Sequence, residues 1–298
     1  MVRQYKIHTN LDGTDDKVWD VTNGKVRFYQ PSNLGLQSTN NIWQSNGIGI
    51  MGTRSITQPQ IEFKLETFGE SLEENYRLMK DFINDILNKK FVTLEYQTEI
   101  FQVYADLALA EVTKTEGYGK NGTFSEKITF DIITKWYTYE NLTFDMIKNG
   151  EVIAGKSKIY GGTAPGSYKY VEGVSYTYYG ETNIERLSRW DIKDEIFSFM
   201  GILYPQLPKT PTGVRFLDDI GNEYTAIVFK TEELQDYILI NTDVNDETYQ
   251  GWKGTTALNL FPVMDFERYR TRIIEKGQME LINLSKAELK IKRKADFV

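Results

Sequence analysis

The residue types that most often perform enzyme chemistry or bind transition metals are nearly absent from this 298-residue sequence. It has no cysteine, which excludes disulfides, thiolate zinc sites, iron–sulfur clusters and cysteine nucleophiles. Its single histidine, His8, lies in the segment Tyr-Lys-Ile-His-Thr near the start of the chain. Most catalytic triads and most transition-metal sites need at least one imidazole. We therefore interpret His8 as a strand-borne or solvated residue, and we expect no metal site and no cofactor.

Three segments imitate ligand-binding motifs but lack residues that those motifs need. Segment 47–52, Gly-Ile-Gly-Ile-Met-Gly, has the spacing of a dinucleotide fingerprint, but no helical pattern follows it. Segment 161–167 has the glycine frame of a P-loop without its lysine. Segment 243–247 begins like a calcium loop, but Thr248 and Gly254 stand where an EF-hand needs glycine and glutamate. We interpret the last as an acidic turn, with weak calcium binding as the alternative.

Carboxylates alone could still perform catalysis, because glycoside hydrolases use two of them and need no histidine. The chain has 42 acidic residues but no local signature that selects a pair. We therefore name no catalytic residue and expect a protein that is not an enzyme.

The charge balance bears on the class of partner. The chain has 35 basic and 42 acidic residues, for a net charge of −7. A general nucleic-acid or anionic-membrane binder needs a basic face, so neither class is expected. No apolar run approaches the length of a membrane span, and the N-terminus has no signal-peptide pattern, so we expect synthesis and folding in a cytoplasm.

Tyrosine is unusually frequent, with 19 residues beside 16 phenylalanines and five tryptophans. From Asp145 to Gly180 the composition shifts toward Gly, Tyr, Ser, Thr and Lys, which indicates an insertion or arm. Between Tyr160 and Gly180 there are only two charged residues, and such a composition is typical of an interface centre. The candidate partner-binding residues are the six tyrosines of this segment, Tyr160, Tyr168, Tyr170, Tyr176, Tyr178 and Tyr179. Alternatively, they belong to hairpins that pack on their own domain.

One segment, 71–90, has the periodicity of a helix. Its apolar stripe consists of Leu72, Tyr76, Met79, Ile83 and Ile86. Ser71 and Glu74 have capping-box spacing, and Lys89 and Lys90 complement the C-terminal end of the dipole. We predict that the stripe packs on a core, with a partner helix as the alternative.

The other elements have the alternation of β-strands, separated by Gly, Asn and Asp. Strands are predicted at 91–96, 101–109, 124–132, 214–216, 223–229, 237–241, 258–261, 270–274, 279–282 and 288–292, while the pattern at 191–200 fits either a helix or a strand. Many short strands separated by turns indicate a β-sandwich, so the fold class is mainly β. We place the domain boundary at 137/138; the last strand, near 286–298, could pack on the N-terminal domain.

Several segments, in this order, resemble the distal tail (Dit) proteins of siphophages. They are Gly-Ile-Gly-Ile-Met-Gly-Thr-Arg-Ser-Ile at 47–56, the capped helix sequence at 71–83, the strand Ile-Thr-Phe-Asp-Ile-Ile-Thr-Lys-Trp-Tyr at 128–137 and the strand-and-turn Tyr-Ile-Leu-Ile-Asn-Thr-Asp at 237–243. The likeness covers most of the chain and is greatest to the Dit proteins of lactococcal siphophage baseplates.

The resemblance implies a structural hub in the virion. Domain 1–137 would build a homo-hexameric ring between the major tail protein and the tail-tip protein, or tail-associated lysin. Domain 138–298 would be a galectin-like β-sandwich, and an arm-and-hand insertion at about 145–190 would hold trimers of receptor-binding protein. A galectin-like fold does not by itself imply sugar binding.

The alternative function is a carbohydrate-binding module of a cell-surface or virion protein. Exposed aromatic rings would support it, and Trp190 and Trp252 are the first candidates. Core packing is the competing interpretation of both tryptophans.

Overall fold

The computed structural model describes residues 3–35, 37–57, 60–114, 123–145, 147–148, 151–152, 158–160, 176–178 and 186–295. The chain divides into two compact units. The first comprises Met1–Thr138 with Ala295–Val298, and the second comprises Tyr139–Lys294. Within the first unit, the Ala295 N–H donates to the Trp136 carbonyl oxygen at 2.8 Å.

The first unit consists mostly of strands. They are β1 Gln4–His8, β2 Val18–Asp20, β3 Val26–Ser32, β4 Gln37–Ser45, β5 Ile48–Thr57, β6 Ile61–Thr67, β7 Val92–Gln97, β8 Gln102–Thr113 and β9 Ser125–Ile132, with helix α1 at Leu72–Leu87. The next strand, β10 Tyr137–Asp145, begins in the first unit and lies mostly in the second. The order β2-β1-β7-β8-β9-β6-β3 is antiparallel throughout. β8 and β9 form the predicted hairpin, so this part of the strand prediction is confirmed.

The core of the first unit is aromatic and lies between α1 and the curved sheet. Along β6, buried residues alternate with half-buried ones, as expected for a strand with one face on a core. Phe63 of β6 is fully buried and stacks on Phe28 at 4.6 Å between ring centroids. From the helix, Phe82 meets Phe28 and Trp19 edge-on, at 5.8 and 5.2 Å. The prediction that the helix packs on a core is confirmed for its second half.

The ends of α1 differ from the prediction. The helix spans Leu72–Leu87, so Lys89 and Lys90 lie beyond it, and the Lys89 ammonium instead donates to Asp15 at 2.8 Å. Leu72 and Tyr76 are exposed, whereas the polar Asn75 is fully buried and accepts from the Gly69 N–H at 2.6 Å. In the first turn of α1, the buried side is therefore the one that carries Asn75, because Asn75 bonds to Gly69 in the segment before the helix. Leu72 and Tyr76 lie on the exposed side.

The capping box is half formed. The Ser71 hydroxyl accepts from the Glu74 N–H at 3.2 Å, as predicted. The Glu74 carboxylate reaches back to the Glu70 N–H at 2.7 Å, one residue before the cap. The Lys25 ammonium also donates to Glu74, and these hydrogen bonds lower the pKa of that carboxyl.

The second unit contains two large sheets and, among its described residues, two sheets of two strands each. After β10, its strands are β11 Ile147–Lys148, β12 Glu151–Val152, β13 Lys158–Tyr160, β14 Tyr176–Tyr178, β15 Arg186–Ile192, β16 Ile196–Pro205, β17 Thr212–Leu217, β18 Glu223–Phe229, β19 Tyr237–Asn241, β20 Thr248–Lys253, β21 Thr256–Asn259, β22 Gly277–Ile282 and β23 Leu284–Lys294, with a 3-10 turn at Phe261–Val263. The two-stranded sheets are β11-β12 and β13-β14. Of the large sheets, one has the order β10-β23-β16-β19-β20-β21, and the other has the order β15-β22-β17-β18.

These two sheets enclose one hydrophobic core, so the predicted β-sandwich is confirmed. Phe199 of the first sheet packs on Phe216 of the second with 5.9 Å between ring centroids. Tyr249 and Phe229 make a second contact between the sheets at 5.7 Å. The undecided segment 191–200 is strand, interrupted between Ile192 and Ile196.

The strand predicted at 270–274 is wrong. Only Ile274 pairs, in an isolated bridge with Ile196. The N–H groups of Arg270 and Thr271 donate to the Thr225 hydroxyl at 3.1 and 3.3 Å, so a side chain takes the place of a neighbouring strand.

The acidic turn at 243–247 is held by donors of its own unit. Asp243 accepts from the Lys292 ammonium at 2.7 Å and from the Asn245 N–H at 2.9 Å, while Glu247 accepts from Arg272 at 2.7 Å. In the part of the chain that the structure describes, no group of three or more His, Asp or Glu side chains is placed to hold a metal ion. No described helix has the length and apolarity needed to cross a membrane.

Candidate assembly surface

The hairpin β4–β5 is the element of the first unit with the clearest surface for association. Its strands pair with each other and with no other strand in the described ranges. Asn46 and Gly47, with φ of 51° and 80°, form a two-residue turn between the paired residues Ser45 and Ile48. Asn-Gly adopts these positive φ values more readily than other residues, which is why it closes such turns.

A bulge near the middle of the hairpin fixes which side chains share a face. Asn40 pairs with Arg54 and Ile42 pairs with Met51, so Asn41 stands opposite two residues. Arg54 Nε donates to Asn40 at 2.9 Å, and Trp43 Nε1 donates to Asn41 at 3.0 Å. The sequence that imitates a dinucleotide fingerprint is therefore the strand β5 and not a phosphate loop.

Both faces of the hairpin tip are apolar and exposed. The exposed fractions are 68% for Trp43, 69% for Ile48 and 62% for Ile50 on one face, and 55% for Ile42 and 50% for Met51 on the other. An isolated two-stranded hairpin is marginally stable in water, and clustered exposed apolar side chains mark association sites. This surface can become buried by contact with another chain.

The hairpin and the residues around it also lack negatively charged side chains. From Val21 to Ile61 the sequence contains no Asp or Glu, although the whole chain has 42 acidic residues. Arg54 is the one charged residue within β4 and β5. Copies of a protein with net charge −7 repel one another, so a carboxylate-free surface is the part that can approach a second copy at least cost.

Sequence reasoning missed the hairpin as a site, although a signal for it was present. Asn46-Gly47 lies between two segments containing isoleucine, which is a strong local indication of a hairpin.

The predicted partner-binding tyrosines lie partly within the described residues. Tyr160 ends β13 and is the register partner of Tyr178 in the parallel strand β14, where Tyr176 pairs with Lys158. The backbone thus brings Tyr160, Tyr176 and Tyr178 together on two adjacent strands. Tyr168, Tyr170 and Tyr179 lie outside the described residues. Partner binding by these six tyrosines stays a prediction.

The two tryptophans proposed for sugar contact are partly buried. Trp190 packs against the core of the second unit. Trp252 stacks on Tyr237 of the neighbouring strand, with ring centroids 5.9 Å apart and planes 14° from parallel. Neither ring is among the exposed large side chains, which favours the packing interpretation.

His8 lies in a buried cluster of charged side chains. Its Nδ1 is 2.7 Å from Asp16 Oδ2, and its Nε2 is 2.8 Å from Glu95 Oε2. Lys6 and Gln102 both donate to Glu95 Oε1 at 2.9 Å. Burial raises the pKa of Glu95, but the bonds from His8 and Lys6 outweigh it and leave the pKa below its usual value. Both ring nitrogens of His8 and both carboxylate oxygens of Glu95 are engaged within the fold, so the strand-borne interpretation of His8 agrees with its geometry.

A neighbouring hydroxyl has a perturbed pKa. Burial, followed by the negative charges of Glu95 and Asp12, raises the pKa of Tyr104 to about 12. Tyr104 therefore stays neutral at physiological pH. Such a hydroxyl is a poor proton donor and a poor nucleophile, and it suits a structural position.

Comparison with known proteins identifies the family. Residues 4–133 match the family model for the distal tail protein N-terminal domain, and residues 135–298 match the model for the Dit C-terminal domain. The chain is 93% identical to the distal tail protein of Lactococcus phage p2 and 91% identical to that of Lactococcus phage SK1, with full coverage of both chains in each case.

Solved structures agree with the sequence matches. A chain in the structure of the phage P2 baseplate in its activated conformation with Ca superposes with a TM-score of 0.79 at 93% identity, with full coverage of both chains. The crystal structure of SPP1 Dit superposes with a TM-score of 0.54 at 9% identity, covering 99% of this chain and 100% of that one, which shows a common fold alone. The chain belongs to the distal tail protein (Dit) family.

Proposed function

We propose that this protein is the structural hub of a phage tail tip. In this role it forms a homo-hexameric ring that joins the tail tube to the tip and holds receptor-binding proteins for adsorption to the host. The relatives support this proposal: they are named distal tail proteins, one is a chain of a phage baseplate, and SPP1 Dit is described as a paradigm of a hub adsorption apparatus. The protein would accordingly be located in the virion and have no enzymatic activity.

The observation that best supports the ring is the β4–β5 hairpin. A closed ring needs two different complementary faces on each subunit. The hairpin has an exposed apolar cluster on each face, with Trp43 and Ile50 on one and Ile42 and Met51 on the other. One hairpin can therefore bury apolar surface against another copy of the chain.

Light scattering coupled to size exclusion tests the ring. We expect the wild-type chain to form hexamers and the double variant Trp43→Ser, Ile50→Ser to be monomeric and still folded by circular dichroism, because both side chains are exposed in the subunit. Ile100→Ser is the matched control, since Ile100 is 78% exposed on the β7–β8 turn of the same unit, and it should leave hexamers intact. Hexamers of the double variant, or wild-type monomers over a broad concentration range, would contradict the proposal.

We also propose that the segment around β13 and β14 captures trimers of receptor-binding protein. Its low charge and six tyrosines support this assignment, and so does the pairing of Tyr160 with Tyr178. Six copies in a ring would present several adhesins, so that modest individual contacts combine by avidity.

A deletion of residues 146–180 separates capture from ring formation. We expect the deleted chain to form hexamers by light scattering and to fail to retain receptor-binding protein in a pull-down. The triple variant Tyr160→Ser, Tyr176→Ser, Tyr178→Ser should weaken capture with the fold unchanged. Loss of hexamers in the deletion variant would contradict the assignment of this segment to an arm.

We also propose, from membership of the Dit family, which proteins contact the two sides of the ring along the tail axis. The major tail protein would contact one side and the tail-tip protein the other. Membership of the Dit family favours this hub over the carbohydrate-binding alternative, and the galectin likeness of the second unit stays a prediction.

A further inference from the structure

Two Asn-Gly pairs with opposite surroundings lie in the first unit. Asn46–Gly47 forms the tip turn of the hairpin, and Asn23–Gly24 precedes β3. Both asparagines are exposed. Two further Asn-Gly pairs, at 121–122 and 149–150, lie outside the described residues.

We propose that Asn46 is a spontaneous deamidation site and that its conversion disables the hairpin for assembly. The Gly47 backbone nitrogen bonds to Cγ of Asn46 and loses its proton to water. The bond between Cγ and Nδ2 breaks, and the side-chain NH2 group takes one proton from water and leaves as ammonia. Water then opens the succinimide at either carbonyl and gives aspartate or isoaspartate. Water is the only co-reactant, and nothing is oxidised or reduced.

The surroundings of Asn46 and Gly47 allow this reaction. Gly47 lies outside the β4–β5 ladder, and neither its N–H nor the Asn46 side chain has a hydrogen-bond partner among the described residues. A Cβ placed on Gly47 would meet no atom within 4 Å, so the space beside the Gly47 Cα is open. Because the hairpin is an isolated two-stranded sheet, opening its tip to the reactive backbone geometry costs little.

The surroundings of Asn23 oppose the same reaction. The Gly24 N–H donates to the Asp20 carbonyl at 3.0 Å, and a Cβ on Gly24 would lie 2.3 Å from that oxygen. The Asn23 N–H is also bonded, to the Asp20 carboxylate at 2.9 Å. Attack by the Gly24 nitrogen would require breaking the turn that joins β2 and β3. The chain therefore contains its own protected reference site.

The consequence for assembly rests on the proposed ring. Aspartate at position 46 would put a carboxylate into a region that has none from Val21 to Ile61. Isoaspartate would lengthen the backbone at a turn of two residues and shift the pairing of Ser45 with Ile48. Either product weakens the surface that is proposed to contact a second copy.

Peptide mapping by mass spectrometry of the full chain, incubated in mildly alkaline buffer, tests the modification. The two sites fall in different tryptic peptides, 18–25 and 28–54. We expect Asn46 to deamidate roughly tenfold faster than Asn23 or more, since a modest difference in opening free energy changes a rate by that factor. The Asn46→Gly variant keeps a turn-forming residue. It should show no deamidation at position 46 and unchanged deamidation at Asn23. Equal rates at the two sites, or a stable Asn46, would overturn the proposal.

Light scattering tests the effect on assembly. The Asn46→Asp variant should lose hexamers and the Asn46→Gly variant should keep them. Normal hexamers of Asn46→Asp would overturn the assembly part of the proposal. A wild-type chain that never forms hexamers would contradict the proposed ring, and peptide mapping would still decide the modification site independently.

Discussion

The His8 imidazole lies 2.8 Å from the Glu95 carboxylate, and its other nitrogen lies 2.7 Å from Asp16. Each ring nitrogen of His8 therefore has a carboxylate oxygen within hydrogen-bond distance. Glu95 in turn accepts from Lys6 on the neighbouring strand, with which it is in register. A single histidine thus ties β1, the following loop and β7 together through hydrogen bonds.

Removing the imidazole should destabilise the first unit. We expect His8→Gln to cost roughly 1 to 3 kcal/mol of unfolding free energy, because the carboxylates of Glu95 and Asp16 lose the hydrogen-bond partner that they share. Chemical denaturation measures this change. An unchanged free energy of unfolding in His8→Gln would contradict this role of the imidazole.

The first unit should lose stability in acid through Glu95. Its pKa is below the usual value of 4.5, so the ionised carboxylate contributes stability above that value, and the contribution is lost as the pH falls through the lower folded-state pKa. We expect Glu95→Gln to lower the melting temperature at neutral pH and to flatten its decline between roughly pH 5 and pH 3. An equally steep decline in the variant would exclude Glu95 as the titrating group.

The buried pair of Lys292 and Asp243 should matter more to stability than an exposed pair. Their side chains are 4% and 8% exposed, and Lys292→Met would leave the carboxylate buried with fewer partners, at a cost of about 3 kcal/mol. Adding Asp243→Asn should recover more than half of that loss. Lys253→Met, which breaks the exposed pair with Glu233, should cause no measurable change. Equal effects of the two lysine changes in denaturation curves would contradict this expectation.

The N-cap of α1 should contribute measurably. Ser71→Ala removes the acceptor for the Glu74 N–H and should cost about 1 kcal/mol in thermal unfolding. Ser71→Asp, which keeps an acceptor at the N-cap, should match the wild type. If both variants lose the same stability, the cap is not the cause.

The sequence was sufficient to predict the strands and the helix whose structure depends on their own residues and on the turns next to them. The predicted bounds of β18 and β19 agree with the structure at both ends, because alternating apolar residues lie between turn-forming ones. The helix was also predictable from its cap and from Phe82, Ile83 and Ile86, which pack on the core.

The failures involve distant partners. Leu72 and Tyr76 fit a helical stripe yet face solvent, because Asn75 anchors the first turn to Gly69. Segment 270–274 alternates like a strand, but Thr225, 45 residues away, takes its hydrogen bonds. At the candidate site, the sequence was sufficient to predict the Asn-Gly turn. It was not sufficient to predict that both faces of the hairpin are exposed, because this depends on the other strands of the unit pairing among themselves and not with β4 or β5.

The isolation of β4–β5 has a thermodynamic consequence for the population of subunits. A two-stranded sheet without a core of its own gains most of its stability only when something covers it. If that cover is another copy of the chain, the ordered fraction of the hairpin rises with protein concentration by mass action. Dilute subunits would then fold their two cores first and complete the hairpin last, so that concentration itself sets when assembly begins.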